Sequence, residues 1–282
     1  MQATPTLNSP ADRPVGELLD IAVGAAAEAA RVIQAAFGRR GALIWEEKGA
    51  ADFVTEVDRD AEAAITEVIA LRCPEAGVIG EEFSPEGRLG AGGISFVVDP
   101  LDGTTNFLHG YPEFAVSIGV MIGPDLVAGV IRNLTRSETF TATRRGGAFL
   151  NGQRIAVSRE TEPSRALIGT GFPFKRHDLL DEYSAQFVEV SRHTAGVRRA
   201  GSAALDLSSL ACGRFDGFWE LVLAPWDIAA GVLIVREAGG VVTDLNGDWK
   251  TVSHGAVVAG NPDIHAWLLR TVGDARPAKP IP

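Results

Sequence analysis

Apolar and polar positions divide the chain into two unlike runs. In the first, Leu18, Leu19, Ala22, Ala26, Ala29, Ala30, Ile33 and Phe37 recur at helical spacing, which predicts a helix over Val15–Phe37 stopped by Gly38. A second helix is predicted from residue 58 to about residue 71, through Ala61, Ala64, Ile65, Val68 and Ile69, with Pro74 ending it. Short strands follow at 78–80, 94–98, 115–120, 126–131 and 139–143, then a hairpin over 146–155. From residue 166 strands and helices alternate. Strands are expected at 166–170, 197–200, 218–221, 241–244 and 257–259, and helices at 179–192, 202–211, 226–237 and 264–272. The first run reads as helices packed on an antiparallel sheet, and the second as a sheet covered on both faces. The expected fold class is therefore mixed α+β and α/β. An N-terminal half spans 14–155, a C-terminal half spans 156–275, and residues 1–13 form a loose tail.

Composition narrows the picture. The chain has 282 residues and is 46% hydrophobic, enough for a large core. Lys plus Arg number 26 against 36 acids, a formal charge of −10, which argues against general nucleic-acid or membrane binding. An acidic surface also repels phosphate esters, so local cations must reverse the field wherever a phosphate binds. The apolar region 114–131 is broken by Gly123-Pro124-Asp125 and reads as a hairpin, not a membrane span. Residues 1–12 are polar and Pro-rich, without the look of a secretory leader. Cys73 and Cys212 show neither metal-like spacing nor a disulfide framework and read as buried free thiols. A soluble cytoplasmic protein is expected.

The candidate chemistry centres on Asp99-Pro100-Leu101-Asp102-Gly103-Thr104-Thr105-Asn106-Phe107. Two carboxylates arrive at the end of a strand, with Pro100 fixing one backbone angle between them and Leu101 leaving a carbonyl free. Gly103 has no side chain to keep a ligand from its backbone N–H, and two hydroxyls follow. Hard-cation ligands beside anion-binding amides suit a metal-dependent phosphate site. The plainer reading of Asp-Pro-Leu-Asp-Gly is a turn.

Four further acids carry two readings each. Thr55-x-x-Asp58 fits a capping box, or Asp58 projects from the helix start into a metal site. Glu81 and Glu82 follow the strand 78–80, either as solvated loop acids or as groups delivered to the same rim as Asp99 and Asp102. Asp227 in Trp226-Asp227-Ile228-Ala229-Ala230-Gly231 either complements the macrodipole of a helix start or supplies a fourth acid.

The string 99–107 resembles the signature of the inositol monophosphatase family of magnesium-dependent phosphatases. Lys48…Asp52-x-Val54-Thr55-x-x-Asp58 is similar to that family's second motif, and Trp226-Asp227 followed by small residues to its C-terminal motif. Phe172-Pro173-Phe174 and the segment 201–207 look like the bacterial branch, and the resemblance spans about residues 16–270. It implies a layered α-β-α-β-α sandwich. It also implies that Asp58 helps activate the attacking water, that Glu81 rather than Glu82 is a ligand, and that Asp227 closes the second metal site. Glu220 would contact a substrate hydroxyl, and the Gly201-Ser202-Ala203 backbone would line the substrate side. Ala229, Ala230 and Gly231 would let their helix pack close to the sheet.

Four carboxylates in one pocket need neutralising. A like-charge pair about 4 Å apart costs about 4 kcal/mol at an effective dielectric of about 20. Several such pairs approach the ~5–15 kcal/mol stability of a whole domain. Oxygen-only ligation points to Mg²⁺ or Mn²⁺ rather than Zn²⁺. The expected arrangement places one ion on Glu81, Asp99 and the Leu101 carbonyl. A second sits on Asp99, Asp102 and Asp227, with Asp99 bridging. The family also uses a third, weaker magnesium near Glu81. The catalytic group is then Asp58, Thr104 and Glu81, with the Gly103 and Thr104 amides holding the phosphate. Asp102, Glu220, Asp227 and the Ala203 backbone meet the sugar hydroxyls.

The implied substrate is a small phosphorylated polyol, foremost myo-inositol 1-phosphate. Histidinol phosphate, fructose 1,6-bisphosphate and a nucleotide 3'(2'),5'-bisphosphate are alternatives. Arg198-Arg199 and Lys175-Arg176 are candidates for a second phosphate, or simply surface charge. A covalent aspartyl-phosphate route through Asp99-x-x-Asp102 is disfavoured because both acids are wanted as ligands. A different class of function, an interaction protein of the transcription machinery, is also open. The resemblance implies a homodimer and sensitivity to lithium.

Overall fold

Helix α1 (Val15–Phe37) forms where the apolar periodicity predicts it, with Leu18, Ile21 and Ile33 fully buried. Each such side chain contributes about 1.5–3 kcal/mol on leaving water. The computed structural model describes residues 13–43, 45–49, 52–87, 93–249, 252 and 255–275. The expected tail, apart from Arg13, lies outside those residues. After α1 come β1 (Trp45–Gly49), β2 (Asp52–Thr55), α2 (Glu56–Arg72), β3 (Gly77–Gly80), β4 (Ile94–Asp102), α3 (Thr104–His109), β5 (Ala115–Ile122), β6 (Asp125–Asn133), β7 (Glu138–Thr143), β8 (Gly147–Leu150) and β9 (Gln153–Ile155). The second run gives β10 (Leu167–Thr170), α4 (Leu180–His193), β11 (Gly196–Arg198), α5 (Ala203–Ala211), β12 (Gly217–Leu223), α6 (Pro225–Glu237), β13 (Val241–Thr243), β14 (Gly255–Gly260) and α7 (Pro262–Asp274).

Seven strands form one sheet in the order β3-β4-β5-β6-β7-β8-β9, parallel between β3 and β4 and antiparallel elsewhere. Five form a second, mixed sheet in the order β11-β10-β12-β14-β13. Helices α1 and α2 cover one face of the large sheet. Helices α5 and α6 lie between the two sheets, and α4 and α7 cover the far face of the smaller one. The layering is α-β-α-β-α. The hairpin expected around Gly123-Pro124 joins β5 to β6, with Gly123 at φ 54°. Among the described residues no helix is long and apolar enough to cross a membrane. Cys73 is buried, but Cys212 is half-buried, because α5 ends there at the molecular surface.

Two strands run further than their apolar patterns suggest, for one physical reason. Strand β4 continues past Val98 to Asp102, and its pairing with β5 slips between Asp99↔Ser117 and Asp102↔Ala115. The Asp-Pro-Leu-Asp segment is thus a bulged strand rather than a turn, and a bulge is one of the few places a strand tolerates proline. Strand β12 likewise continues past Glu220 to Leu223, slipping between Glu220↔Val257 and Leu223↔Gly255. Glu220 therefore sits at a bulge within the strand. Each bulge interrupts the strict alternation by which a strand is recognised.

Candidate active site

The β4 bulge aims its two acids differently. Asp99 is buried, and its Oδ1 accepts the Leu101 N–H at 3.0 Å, closing the bulge on itself. Asp102 Oδ2 accepts from Ser202 Oγ at 2.6 Å and from the Ala204 N–H at 2.7 Å. The start of α5, where Ser202 is N-cap, is thereby fastened to the large sheet's β4. Gly103 follows at φ 93°, in the left-handed region, and a Cβ there would lie 2.8 Å from the Glu113 carbonyl. Only glycine makes that corner without strain. Asn106 Nδ2 donates to the carbonyls of Glu113 at 2.6 Å and Ala200 at 3.0 Å, fixing α3 to the turn at Gly201, itself at φ 93°.

Asp58 caps its helix with one carboxylate oxygen and meets Thr104 with the other. Its Oδ2 accepts the Thr55 N–H at 2.9 Å and the Thr55 hydroxyl at 2.6 Å, while Thr55 Oγ1 accepts the Val57 N–H at 3.0 Å. That caps α2. The other oxygen, Oδ1, lies 2.8 Å from Thr104 Oγ1, which is also 3.0 Å from the Leu101 carbonyl. Burial raises the Asp58 carboxyl's pKa, and the Thr55 and Thr104 hydrogen bonds oppose that shift. The side chains of Lys48 and Asp52 lie outside the described residues.

Glu81 and Glu82 are half-buried at the end of β3, and the Glu81 N–H donates to the Val98 carbonyl of β4 at 3.3 Å. Beneath them lies a residue that periodicity did not single out. Glu62, fully buried on α2, accepts the Glu82 N–H at 2.7 Å and the Phe83 N–H at 3.1 Å. Gly80 makes room for it: a Cβ there would meet Glu62 Oε1 at 2.0 Å.

Asp227 stands in the first turn of α6, its Oδ2 accepting the Ala224 N–H at 2.7 Å. The helix approaches the large sheet closely. A Cβ on Gly119 would lie 2.7 Å from Ala229 Cβ, and one on Gly129 3.1 Å from Ala230 Cα. Gly231, expected to serve the same approach, instead faces α5, where its missing side chain accommodates Leu207. Glu220 lies against Gly171, whose Cβ would meet its carboxylate at 2.1 Å. Of the four basic candidates, Arg176 pairs with Asp178 at 2.6 Å, and Arg198 bonds the neighbouring Val197 carbonyl. Arg199 stands over Phe172 and Phe174, 5.6 and 5.0 Å from the ring centroids. Its charge and that of Lys175 act on Glu220.

A model described as the inositol monophosphatase family matches residues 15–276. The chain belongs to that family. It is 45% identical to a Pseudomonas aeruginosa protein named Nus factor SuhB over 258 residues, 90% of this chain and 95% of that one. It is 42% identical to an inositol-1-monophosphatase of Rhizobium meliloti over 262 residues, 93% of this chain and 98% of that one. The solved structure of extragenic suppressor protein suhB from Bartonella henselae superposes with a TM-score of 0.84 at 40% identity, covering 94% of this chain and 99% of that one. The mixed α/β architecture expected from sequence is the fold of these inositol monophosphatase and SuhB structures.

In this member of the inositol monophosphatase family the acids share one field. The proton affinity of Asp99 is raised well above the ordinary carboxylate range, first by burial and then by the charges of Glu81, Asp102 and Asp227. Burial also raises Asp102, against the hydrogen bonds from Ser202 and Ala204. Burial and then Asp227 push Glu220 up to about 8. Asp206, buried on α5, is raised well above its usual value by burial and then by Glu220 and Asp102. Asp206 lies within the 201–207 segment, and no local signal in the sequence marks its burial. The donor set that surrounds Asp99 is all oxygen and anionic, which fits a hard divalent cation. Several of these carboxylates are turned to protein donors, and among the described residues no three Asp, Glu, His or Cys side chains form a ready-made cage.

Proposed function

We propose that this chain is a Mg²⁺-dependent phosphomonoesterase acting on a small phosphorylated polyol, foremost myo-inositol 1-phosphate. The observation that carries the reading is the field around Asp99, built by Glu81, Asp102 and Asp227 beside the Asp58–Thr104 hydrogen bond. Glu81, Asp99, the Leu101 carbonyl, Asp102 and Asp227 would hold two Mg²⁺ or Mn²⁺ ions, with a third, weaker one near Glu81. Bound there, such ions supply a nucleophilic water at neutral pH and neutralise charge on the attacking and leaving oxygens.

The protein's own residues do the rest. Asp58 takes the Thr104 hydrogen at Oδ1, so that Thr104 Oγ1 presents a lone pair to the attacking water and orients it. Gly103, at its left-handed corner, and Thr104 offer backbone N–H groups to the phosphate. The leaving alcohol's hydroxyls meet Asp102, Glu220, Asp227 and the backbone of Gly201 and Ala203. A panel of phosphate monoesters and bisphosphates, assayed in Mg²⁺ and again with EDTA, tests this. Release of phosphate from inositol 1-phosphate that EDTA abolishes is the expected result, and equal turnover with EDTA contradicts it. By the same resemblance the protein works in the cytoplasm as a homodimer and is inhibited by Li⁺, which sedimentation and a lithium titration check.

A second reading is favoured by the relatives' names. Curated relatives at 41–45% identity include proteins named Nus factor SuhB as well as inositol-1-monophosphatases. A role with the transcription machinery is compatible with a working phosphatase site. Co-purification with RNA polymerase that persists in an Asp99→Asn variant supports it. Failure of the wild-type chain to bind polymerase removes it.

A further inference from the structure

We infer that Glu62 is a positioning residue for Glu81, holding the turn that carries this acid at a fixed place relative to Asp99. The inference rests on the proposed reading of Glu81 as a cation ligand.

The turn from Gly80 to Ser84 is stapled on several sides. The Gly80 N–H donates to Ser84 Oγ at 3.0 Å, and that hydroxyl donates to the Val78 carbonyl at 2.9 Å. The Ser84 N–H returns to the Gly80 carbonyl at 3.3 Å. The Glu81 N–H is pinned to Val98 of β4, one residue before Asp99. What remains are the successive N–H groups of Glu82 and Phe83. Two consecutive amides aimed at one point make an anion-binding concavity. Here the anion is internal: both oxygens of the Glu62 carboxylate fill it, one per amide.

Three features set this apart from an ordinary buried polar contact. Glu62 has no solvent exposure, so its carboxylate is committed to this environment. Gly80 is required by it, since any Cβ would collide with Glu62 Oε1. And Glu62 lies four residues after Asp58, so the two project from the same face of α2. One rigid helix therefore sets both the Asp58–Thr104 pair and the Glu81 turn. The separation between the water-orienting group and the ligand acid is a property of α2, not of two independent loops. Groups that orient ligands in this way typically change metal affinity when altered.

Substitution by glutamine separates charge from geometry. One oxygen still accepts an amide, but the new NH₂ faces the other amide donor to donor, so the turn must open. Gly80→Ala attacks the same contact from the other side by displacing the carboxylate without removing it. Mn²⁺ is titrated calorimetrically into metal-free wild type, Glu62→Gln, Gly80→Ala and Glu81→Ala. Hydrogen–deuterium exchange is followed over residues 80–84 in each. Both Glu62→Gln and Gly80→Ala are expected to bind Mn²⁺ about tenfold or more weakly. They also exchange the Glu82 and Phe83 amides faster, and shift the Mg²⁺ midpoint for phosphate release upward in proportion. The substrate KM at saturating Mg²⁺ stays within about twofold, as a residue that does not touch substrate requires. Should Glu62→Gln not fold, Gly80→Ala carries the test.

Faster exchange with unchanged Mn²⁺ affinity overturns the inference, because the turn would then be loosened without consequence for Glu81. Unchanged exchange overturns it as well, because Glu62 would not be holding the turn. Wild-type Mn²⁺ affinity in Glu81→Ala marks a different failure, that of Glu81 as a ligand.

Discussion

Thr104 Oγ1 lies 2.8 Å from Asp58 Oδ1, while Oδ2 of the same carboxylate caps helix α2. One acid is thus both an element of the fold and a partner in the candidate chemistry. Asp58→Ala removes both acceptors, so turnover and stability read the two contributions separately. Loss of the orienting acceptor is expected to lower turnover by about 10²–10⁴-fold. The weakened cap should cost about 0.5–2 kcal/mol. Steady-state kinetics and a denaturant melt on the same preparation check this. A variant that loses stability but keeps its turnover would leave Asp58 as a cap alone.

The acids around Asp99 predict that stability of the metal-free protein falls as pH rises. Folding raises Glu220 from an ordinary 4.5 to about 8, so between those values the folded chain keeps a proton that the unfolded chain has released. That stabilisation is complete below pH 4.5 and is lost as pH climbs through 8, at up to about 1.4 kcal/mol per unit for one group. Asp99, Asp102 and Asp206 are shifted in the same direction and add to the slope. Urea melts in EDTA at pH 5 and pH 8 should show the lower midpoint at pH 8. Glu220→Gln should flatten the difference, and an equal midpoint at both pH values in the wild type would contradict the shift.

Divalent cations should act in the opposite sense. A ligand that binds only the folded state at a hundred times its Kd stabilises it by about 2.7 kcal/mol. Mg²⁺ is therefore expected to raise the melting temperature at pH 8. In Asp99→Asn that response should vanish while the metal-free protein becomes more stable, because one like charge has left the cluster. Scanning calorimetry with and without Mg²⁺ distinguishes the two. Near-wild-type turnover of Asp99→Asn at saturating Mg²⁺ would remove Asp99 from the ligand set.

The close seat of α6 can be tested from the sheet side. Gly119→Ala places a methyl group 2.7 Å from Ala229 Cβ, so α6 must shift or the sheet must bend. Overpacking of this kind costs about 1–3 kcal/mol. Since α6 carries Asp227, the variant should also need more Mg²⁺ for half-maximal activity, which a Mg²⁺ titration measures. A loss of stability with an unchanged Mg²⁺ midpoint would show that Asp227 does not depend on this contact.

Helices with long periodic faces were legible in the sequence. The bounds of α1 follow from the recurrence of Leu18, Ala22, Ala26, Ile33 and Phe37, and the interior strands β5 and β6 follow from continuous apolar runs. The ribbon of β1 and β2 and the short helix α3 were not assigned. Trp45-Glu46-Glu47-Lys48-Gly49 has no strand alternation, and Thr104-Thr105 begins α3 with two β-branched residues that disfavour helix. There tertiary contacts decide: Phe107 anchors α3 against Phe37 and Phe114. The acids of the candidate site were visible because their motifs are contiguous. Glu62 was not, because nothing local distinguishes it from a solvated helix glutamate. Its burial is created by the absence of a side chain at Gly80, on another element.

The claim beneath all of these outcomes is that acids from β3, β4 and α6 meet around divalent cations. Anomalous diffraction from crystals of the protein grown with Mn²⁺ reads this directly. The account predicts peaks ligated by Asp99, with Glu81 and the Leu101 carbonyl at one and Asp102 and Asp227 at the other. A well-ordered map with those side chains in place and no anomalous density between them would contradict it.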